Sequence, residues 1–134
     1  MKIKYSGPRP TEGELEILSI IWEKGEASVK EIHESIAAYK KTGYTTTLKL
    51  LQLMFEKGIV ARKEIGRKHI YRSSLDKDLL AQKMTDRLTG HLFEGSPAKL
   101  AIKALSTDLF TSSKSELLQL QILTQSLLEK VKDQ

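Results

Sequence analysis

Residues 44–72 read YTTTLKLLQLMFEKG (44–58) followed by IVARKEIGRKHIYR (59–72), and the change of period at Gly58 decides the fold. Before that glycine, apolar residues recur at helical spacing. On a wheel of about 100° per residue, Thr47, Leu48, Leu51, Met54 and Phe55 gather on one side, while Thr46, Lys49, Leu50, Leu53 and Lys57 lie opposite. The helix is expected to start near Thr45 and to stop at Gly58, a residue that takes the left-handed conformation at no steric cost. After Gly58 come two short alternating runs, Ile59–Ile65 and Lys68–Arg72, joined at Gly66-Arg67. That pattern is a β-hairpin, with Arg67 and Lys68 at its tip and His69 beside them.

The same stretch carries the whole charge excess of the chain. The net charge is +5, and residues 44–72 hold seven Lys/Arg against two Asp/Glu. Residues 1–43 hold seven of each sign, and residues 73–134 hold eight of each. A surplus confined to one segment suits a surface that meets polyphosphate. The outward face of the helix is nevertheless half apolar. As a solvated face it leaves Leu50 and Leu53 exposed, which single leucines often are. In a DNA major groove the same leucines can meet thymine methyls while Thr and Lys reach base edges and phosphates. Both readings stand at this point.

Upstream, Thr11 with Glu14 and Ser28 with Glu31 each form a capping-box pattern. The first precedes Leu15, Leu18, Ile21 and Trp22 and ends at Gly25; the second precedes the stripe Val29, Ile32, Ile36 and Ala37. Two short amphipathic helices joined by a tight turn are expected, with Trp22, Ile32 and Leu51 assigned to the core. Three helices followed by a hairpin with a basic tip make a winged helix-turn-helix, whose third helix enters the major groove and whose wing lies along the backbone. Pro8 and Pro10 read as an extended lead-in.

Composition narrows the class further. No apolar run approaches the roughly 20 residues of a membrane span. The start, Met1-Lys-Ile-Lys-Tyr-Ser-Gly, lacks the apolar stretch of a signal peptide, so a cytoplasmic location is expected. Zero cysteines exclude disulfides, thiolate metal sites and cysteine nucleophiles. His33, His69 and His91 fall on three different expected elements, so no metal or acid-base grouping is indicated. With no Gly-rich phosphate loop and no nucleophile elbow, the chain reads as a non-enzyme without cofactor or metal.

Past residue 75 the charge is balanced and the apolar content rises. Lys77 to Phe93 includes Leu79, Leu80, Met84, Leu88 and Leu92; Ser96-Pro97 starts a further helix; Ser113 with Glu116 caps a last one holding Leu117, Leu118, Leu120, Ile122, Leu123, Leu127, Leu128 and Val131. That is more apolar surface than one stripe of a small monomer needs. The two readings are a helical partner, most simply a second copy of the chain, and helices folded back on the winged helix. The expected architecture is mainly α: a winged helix-turn-helix DNA-binding domain over 1–75 and a helical dimerisation domain over 76–134.

The ordered set Glu14-Leu15-Glu16-Ile17-Leu18 with Trp22, Val29-Lys30-Glu31-Ile32, Tyr44 to Leu51, Glu56-Lys57-Gly58-Ile59-Val60, Gly66-Arg67 with Tyr71, and Leu92 to Pro97 resembles the penicillinase-repressor family of winged-helix transcriptional regulators, the BlaI/MecI/CopY class. The resemblance covers nearly the whole chain. It implies a dimeric repressor that binds double-stranded DNA at an inverted-repeat operator and pairs through its C-terminal helices. By family position and by wheel, Thr45, Thr46 and Lys49 contact DNA from the start of the recognition helix, Leu50 adds an apolar contact, and Arg67 and Lys68 at the wing meet phosphates or a minor groove. Lys40 and Lys41 read as a solvated charge pair, with a backbone contact as the other reading. A winged-helix adaptor docking on an acidic protein, anchored by Leu50 and Leu53, is the alternative from another class.

The chain also departs from the family. An arginine is common near the position of Leu53, so a phosphate contact there does not carry over. Some members are inactivated by cleavage at an Asn-Phe bond on a signal from a sensor; this chain contains no asparagine, and the matching stretch is Ile102-Lys103-Ala104-Leu105. The cysteine cluster of copper-responsive members is also missing. The resemblance therefore assigns no inducing signal, and any sensor or protease is an unknown partner.

Overall fold

The computed structural model describes residues 9–131. The elements run α1 (Glu12–Lys24), β1 (Ala27–Ser28), α2 (Val29–Ala37), α3 (Tyr44–Glu56), β2 (Val60–Ile65), β3 (Lys68–Ser73), α4 (Lys77–Leu92), α5 (Pro97–Leu105) and α6 (Lys114–Val131). The lead-in read at Pro8 lies outside the described residues. Three helices and an antiparallel hairpin in this order are a winged helix-turn-helix, and the protein is mainly helical. The compact units divide after Lys83, within α4.

Local sequence explains most element boundaries. Thr11 Oγ1 accepts from the Glu14 amide at 3.2 Å while Glu14 Oε1 accepts from the Thr11 amide at 2.9 Å, which closes the capping box of α1. Ser28 and Glu31 repeat it at α2, at 3.2 and 3.0 Å. α1 ends at Gly25 (φ 86°), whose amide donates to Ile21 O at 2.7 Å. At the end of α3 the Gly58 amide donates to Phe55 O (3.0 Å) and that of Ile59 to Met54 O (2.9 Å), with Gly58 at φ 80°. The wing pairs Val60 with Ser73 through Ile65 with Lys68, leaving Gly66 and Arg67 as a two-residue turn. Gly66, at φ 64°, supplies the positive φ that such a turn needs at its first central residue.

The link between α1 and α2 is more than the expected tight turn. Ala27 and Ser28 form β1, antiparallel to β3 with Ala27 opposite Tyr71 and Ser28 opposite Ile70, and the sheet order is β1-β3-β2. The core lies between this sheet and the three helices: Ile17, Leu18 and Ile21 from α1, Ile32 and Ile36 from α2, Leu51 and Met54 from α3, then Ile59, Val60, Tyr71 and Leu75. Ile32 and Leu51 are fully buried, as expected; Trp22 is half-buried against the core, its Nε1 donating to Leu75 O at 3.4 Å. Ala37, expected in the buried stripe of α2, is exposed because the helix ends there.

The unit from Met84 onward keeps the expected starts. Ser96 Oγ accepts from the Lys99 amide with Pro97 leading α5, and Ser113 and Glu116 close a third capping box, at 2.7 and 3.1 Å. Glu94 (φ 50°) and Gly95 (φ 76°) turn the chain between α4 and α5. None of the hydrophobic residues of this unit is buried among the described residues.

Candidate nucleic-acid interface

α3 turns Thr47, Leu51 and Met54 into the core and presents Thr45, Thr46 and Lys49 to solvent, with Gln52, Leu53 and Glu56 continuing the exposed face. Its start is held from the side. His33 Nδ1 of α2 lies 3.5 Å from Thr47 Oγ1, and the His33 ring meets the Tyr44 ring edge-on at 5.6 Å between centroids. The N-cap residue Gly43 makes no side-chain cap, and the first turn carries no acid, whereas α1 has Glu12 and Glu14 and α2 has Glu31 there. An approaching anion therefore meets the positive end of the α3 dipole without a carboxylate in front of it.

Two residues sit differently from the wheel. Leu50, expected outward beside Lys49, is half-buried against the core, and its Cδ2 stands 3.2 Å from the point where a Cβ on Gly13 would be. The bare glycine of α1 leaves room for that leucine, so it folds under the helix. Phe55, expected inward, is 38% exposed, with the Arg62 guanidinium 3.9 Å above its ring centre. Leu53 remains outward at 49% exposure.

The seven cations of residues 44–72 divide into two groups. Lys57, on the outward side of the wheel, reaches instead to Glu14 Oε2 at 2.8 Å; Lys63 pairs with Glu26 at 3.3 Å; Arg62 stacks on Phe55 and donates to Tyr71 Oη at 3.4 Å. Lys49, Arg67, Lys68 and Arg72 are exposed and make no ion pair among the described residues. Lys68 still acts on its neighbours: the Glu31 carboxyl is held below the ordinary carboxylate value first by the Ser28 amide and hydroxyl, then by the charges of Lys24 and Lys68. His69 Nε2 faces Glu64 Oε2 across the hairpin at 3.7 Å. Lys40 lies at 2.9 Å from Glu16 Oε1, and the Tyr39 hydroxyl donates to Oε2 of the same carboxylate.

The structure thus places Thr45, Thr46 and Lys49 together on one exposed helix face and Arg67 and Lys68 together at the wing tip, and takes Leu50 out of the exposed face. Sequence reasoning passed over Gln52 and the Arg62–Phe55–Tyr71 group. The former has the helical spacing of the face; the latter requires the strand register. Among the described residues no cluster of three or more His, Cys, Asp or Glu could hold a metal, and no helix is long and apolar enough to cross a membrane.

Residues 10–126 match the model of a family described as penicillinase repressor. Among solved structures, the chain is similar to the solution structure of the DNA-binding domain of the repressor BlaI. The identity is 21% and the TM-score 0.48, over 57% of this chain and 90% of that one. No curated protein matches.

Proposed function

The chain belongs to the penicillinase repressor family, and from that premise we propose that it represses transcription as a homodimer bound to an inverted-repeat operator. The observation that carries the DNA-binding part is the exposed face Thr45-Thr46-Lys49 of α3, in the same winged helix as the exposed wing cations Arg67 and Lys68. On this reading Thr45, Thr46 and Lys49 meet base edges and nearby phosphates from the start of the recognition helix, and the wing meets the backbone. Leu50, half-buried against the core, is a weaker candidate for the apolar contact than the exposed residues of the face. The same half-burial weakens one of the two apolar anchors of the adaptor reading and leaves Leu53 as the exposed one.

Homodimerisation is supported by the second unit. Leu92, Ile102, Leu109, Phe110 and Ile122 are each at least 66% exposed, on a segment whose charges balance. So much apolar surface on one segment marks an interaction face. A second copy would cover it isologously and set two recognition helices about one DNA turn apart, roughly 34 Å or a multiple. Residues 1–75 then read DNA and residues 76–134 pair.

The test compares a duplex carrying the promoter region of the gene with a scrambled duplex at two salt concentrations. A preference of about a thousandfold or more is expected, with protected half-sites one turn apart. Lys49→Ala should reduce that preference, whereas Arg67→Ala should weaken both duplexes alike and lower the salt slope by about one unit. Equal binding to both duplexes, or unchanged affinity in both variants, would count against the reading.

A further inference from the structure

Strand alternation gives Arg62 an unexpected position. Val60, Arg62 and Glu64 share one face of β2, and Arg62 stands opposite Tyr71. Val60 (2% exposed) and Tyr71 (0%) identify this as the face turned to the core. The Arg62 side chain therefore leaves the wing inward, not toward solvent like that of Arg67 in the turn. It reaches the last turn of α3, where its guanidinium covers the Phe55 ring at 3.9 Å while Nη1 donates to Tyr71 Oη at 3.4 Å. A planar guanidinium suits this use, stacking on a ring while directing its N–H donors sideways, as an ammonium cannot.

The contact bridges the two elements that the DNA-binding reading requires to act together. One end is the C-terminal turn of the helix that carries Lys49; the other is the hairpin that carries Arg67 and Lys68. Between Arg62 and the tip the pairing is unbroken, through Lys63 opposite Ile70, Glu64 opposite His69 and Ile65 opposite Lys68. Fixing Arg62 against Phe55 thus fixes the angle at which the whole wing leaves α3. Resting on the DNA-binding reading, we propose that Arg62 is a positioning residue: through Phe55 and Tyr71 it sets the wing against the recognition helix, so that Arg67 and Lys68 reach the backbone while Lys49 is in the groove.

The test uses the full chain with Arg62→Met, Arg67→Ala, the two combined, and Tyr71→Phe, each titrated with the promoter-region duplex over a range of salt. Arg67→Ala should lower affinity about tenfold and the salt slope by about one unit. Arg62→Met should shift both by a similar amount although its charge faces inward, and the combined variant should lose no more than the worse single one. Tyr71→Phe leaves the net charge unchanged and removes only the hydroxyl, so a smaller shift in the same direction is expected even if Arg62→Met also lowers the unfolding temperature. A wild-type slope in Arg62→Met and Tyr71→Phe overturns the positioning role. Losses that add in the combined variant overturn it as well, because Arg62 then meets a phosphate itself. If wild type does not bind the duplex, or Arg67→Ala is silent, the DNA-binding reading of the wing has failed, visible without any Arg62 variant, and the positioning role falls with it.

Discussion

Lys57→Met is expected to lower the stability of the folded chain by about 2–3 kcal/mol at neutral pH and to flatten its pH dependence in the acid range. Glu14 is 1% exposed, with Oε1 taking the Thr11 amide and Oε2 taking Lys57 Nζ. Burial pushes its carboxyl upward, but the Lys57 and Thr11 contacts outweigh burial and hold it below 4.5. A carboxyl depressed in the folded state contributes stability above its unfolded value, lost as pH falls through the folded one. Without Lys57, burial is opposed by the Thr11 contacts alone, and the carboxyl rises relative to wild type. The variant should then lose less stability than wild type as pH falls through the acid range. Lys57 is half-exposed, so water reaches the vacated position and the cost stays at the low end for a broken buried pair. Urea denaturation of both proteins between pH 4 and 8 measures this; parallel curves would mean that Lys57 does not compensate the buried charge.

On the dimeric reading proposed above, Leu123→Asp combined with Leu127→Asp is expected to leave a monomer with operator affinity lowered about a hundredfold or more. The two leucines lie four apart on one face of α6 and are 54% and 48% exposed, so the aspartates meet no packed core and their like-charge spacing costs the helix only about 0.2–0.5 kcal/mol. In a dimer they would bring carboxylates into an apolar interface. Losing the partner removes the effective concentration that makes the second half-site contact intramolecular, while Lys49 and Arg67 are untouched. Sedimentation should report the monomer, and affinity for a single half-site should equal that of wild type. An intact dimer with unchanged operator affinity would place the contact elsewhere.

What was legible in the sequence follows the range of the interactions. The capping boxes at Thr11, Ser28 and Ser113 and the stops at Gly25 and Gly58 are decided within a few residues, so reading them along the chain suffices. β1 is not legible, because two residues show no alternation and their partners, Ile70 and Tyr71, are far along the chain. The exposed polar face of α3 could be read because helical spacing alone puts Thr45, Thr46 and Lys49 together.

The wheel failed at Leu50 and Phe55 for one reason. It allows a single inward direction, whereas α3 is covered on several sides: by α1 where Gly13 lacks a side chain, and by the wing where Arg62 stacks on Phe55. The same limit hid the fate of the basic residues. A charge count cannot tell that Lys57, Arg62 and Lys63 are engaged within the chain while Lys49, Arg67 and Lys68 are exposed and make no ion pair among the described residues.

Ser28 belongs to two structures at once. Its backbone pairs with Ile70 in the sheet, and its side chain caps α2. A two-stranded hairpin is marginal by itself. Here β3 is the central strand, so the wing cannot fray from that edge without also unpinning the start of α2. Local opening of the wing is thereby coupled to loosening of the helix pair. The freedom that a mobile loop would surrender on meeting a ligand is already surrendered at folding, and association through this surface carries a smaller entropic penalty.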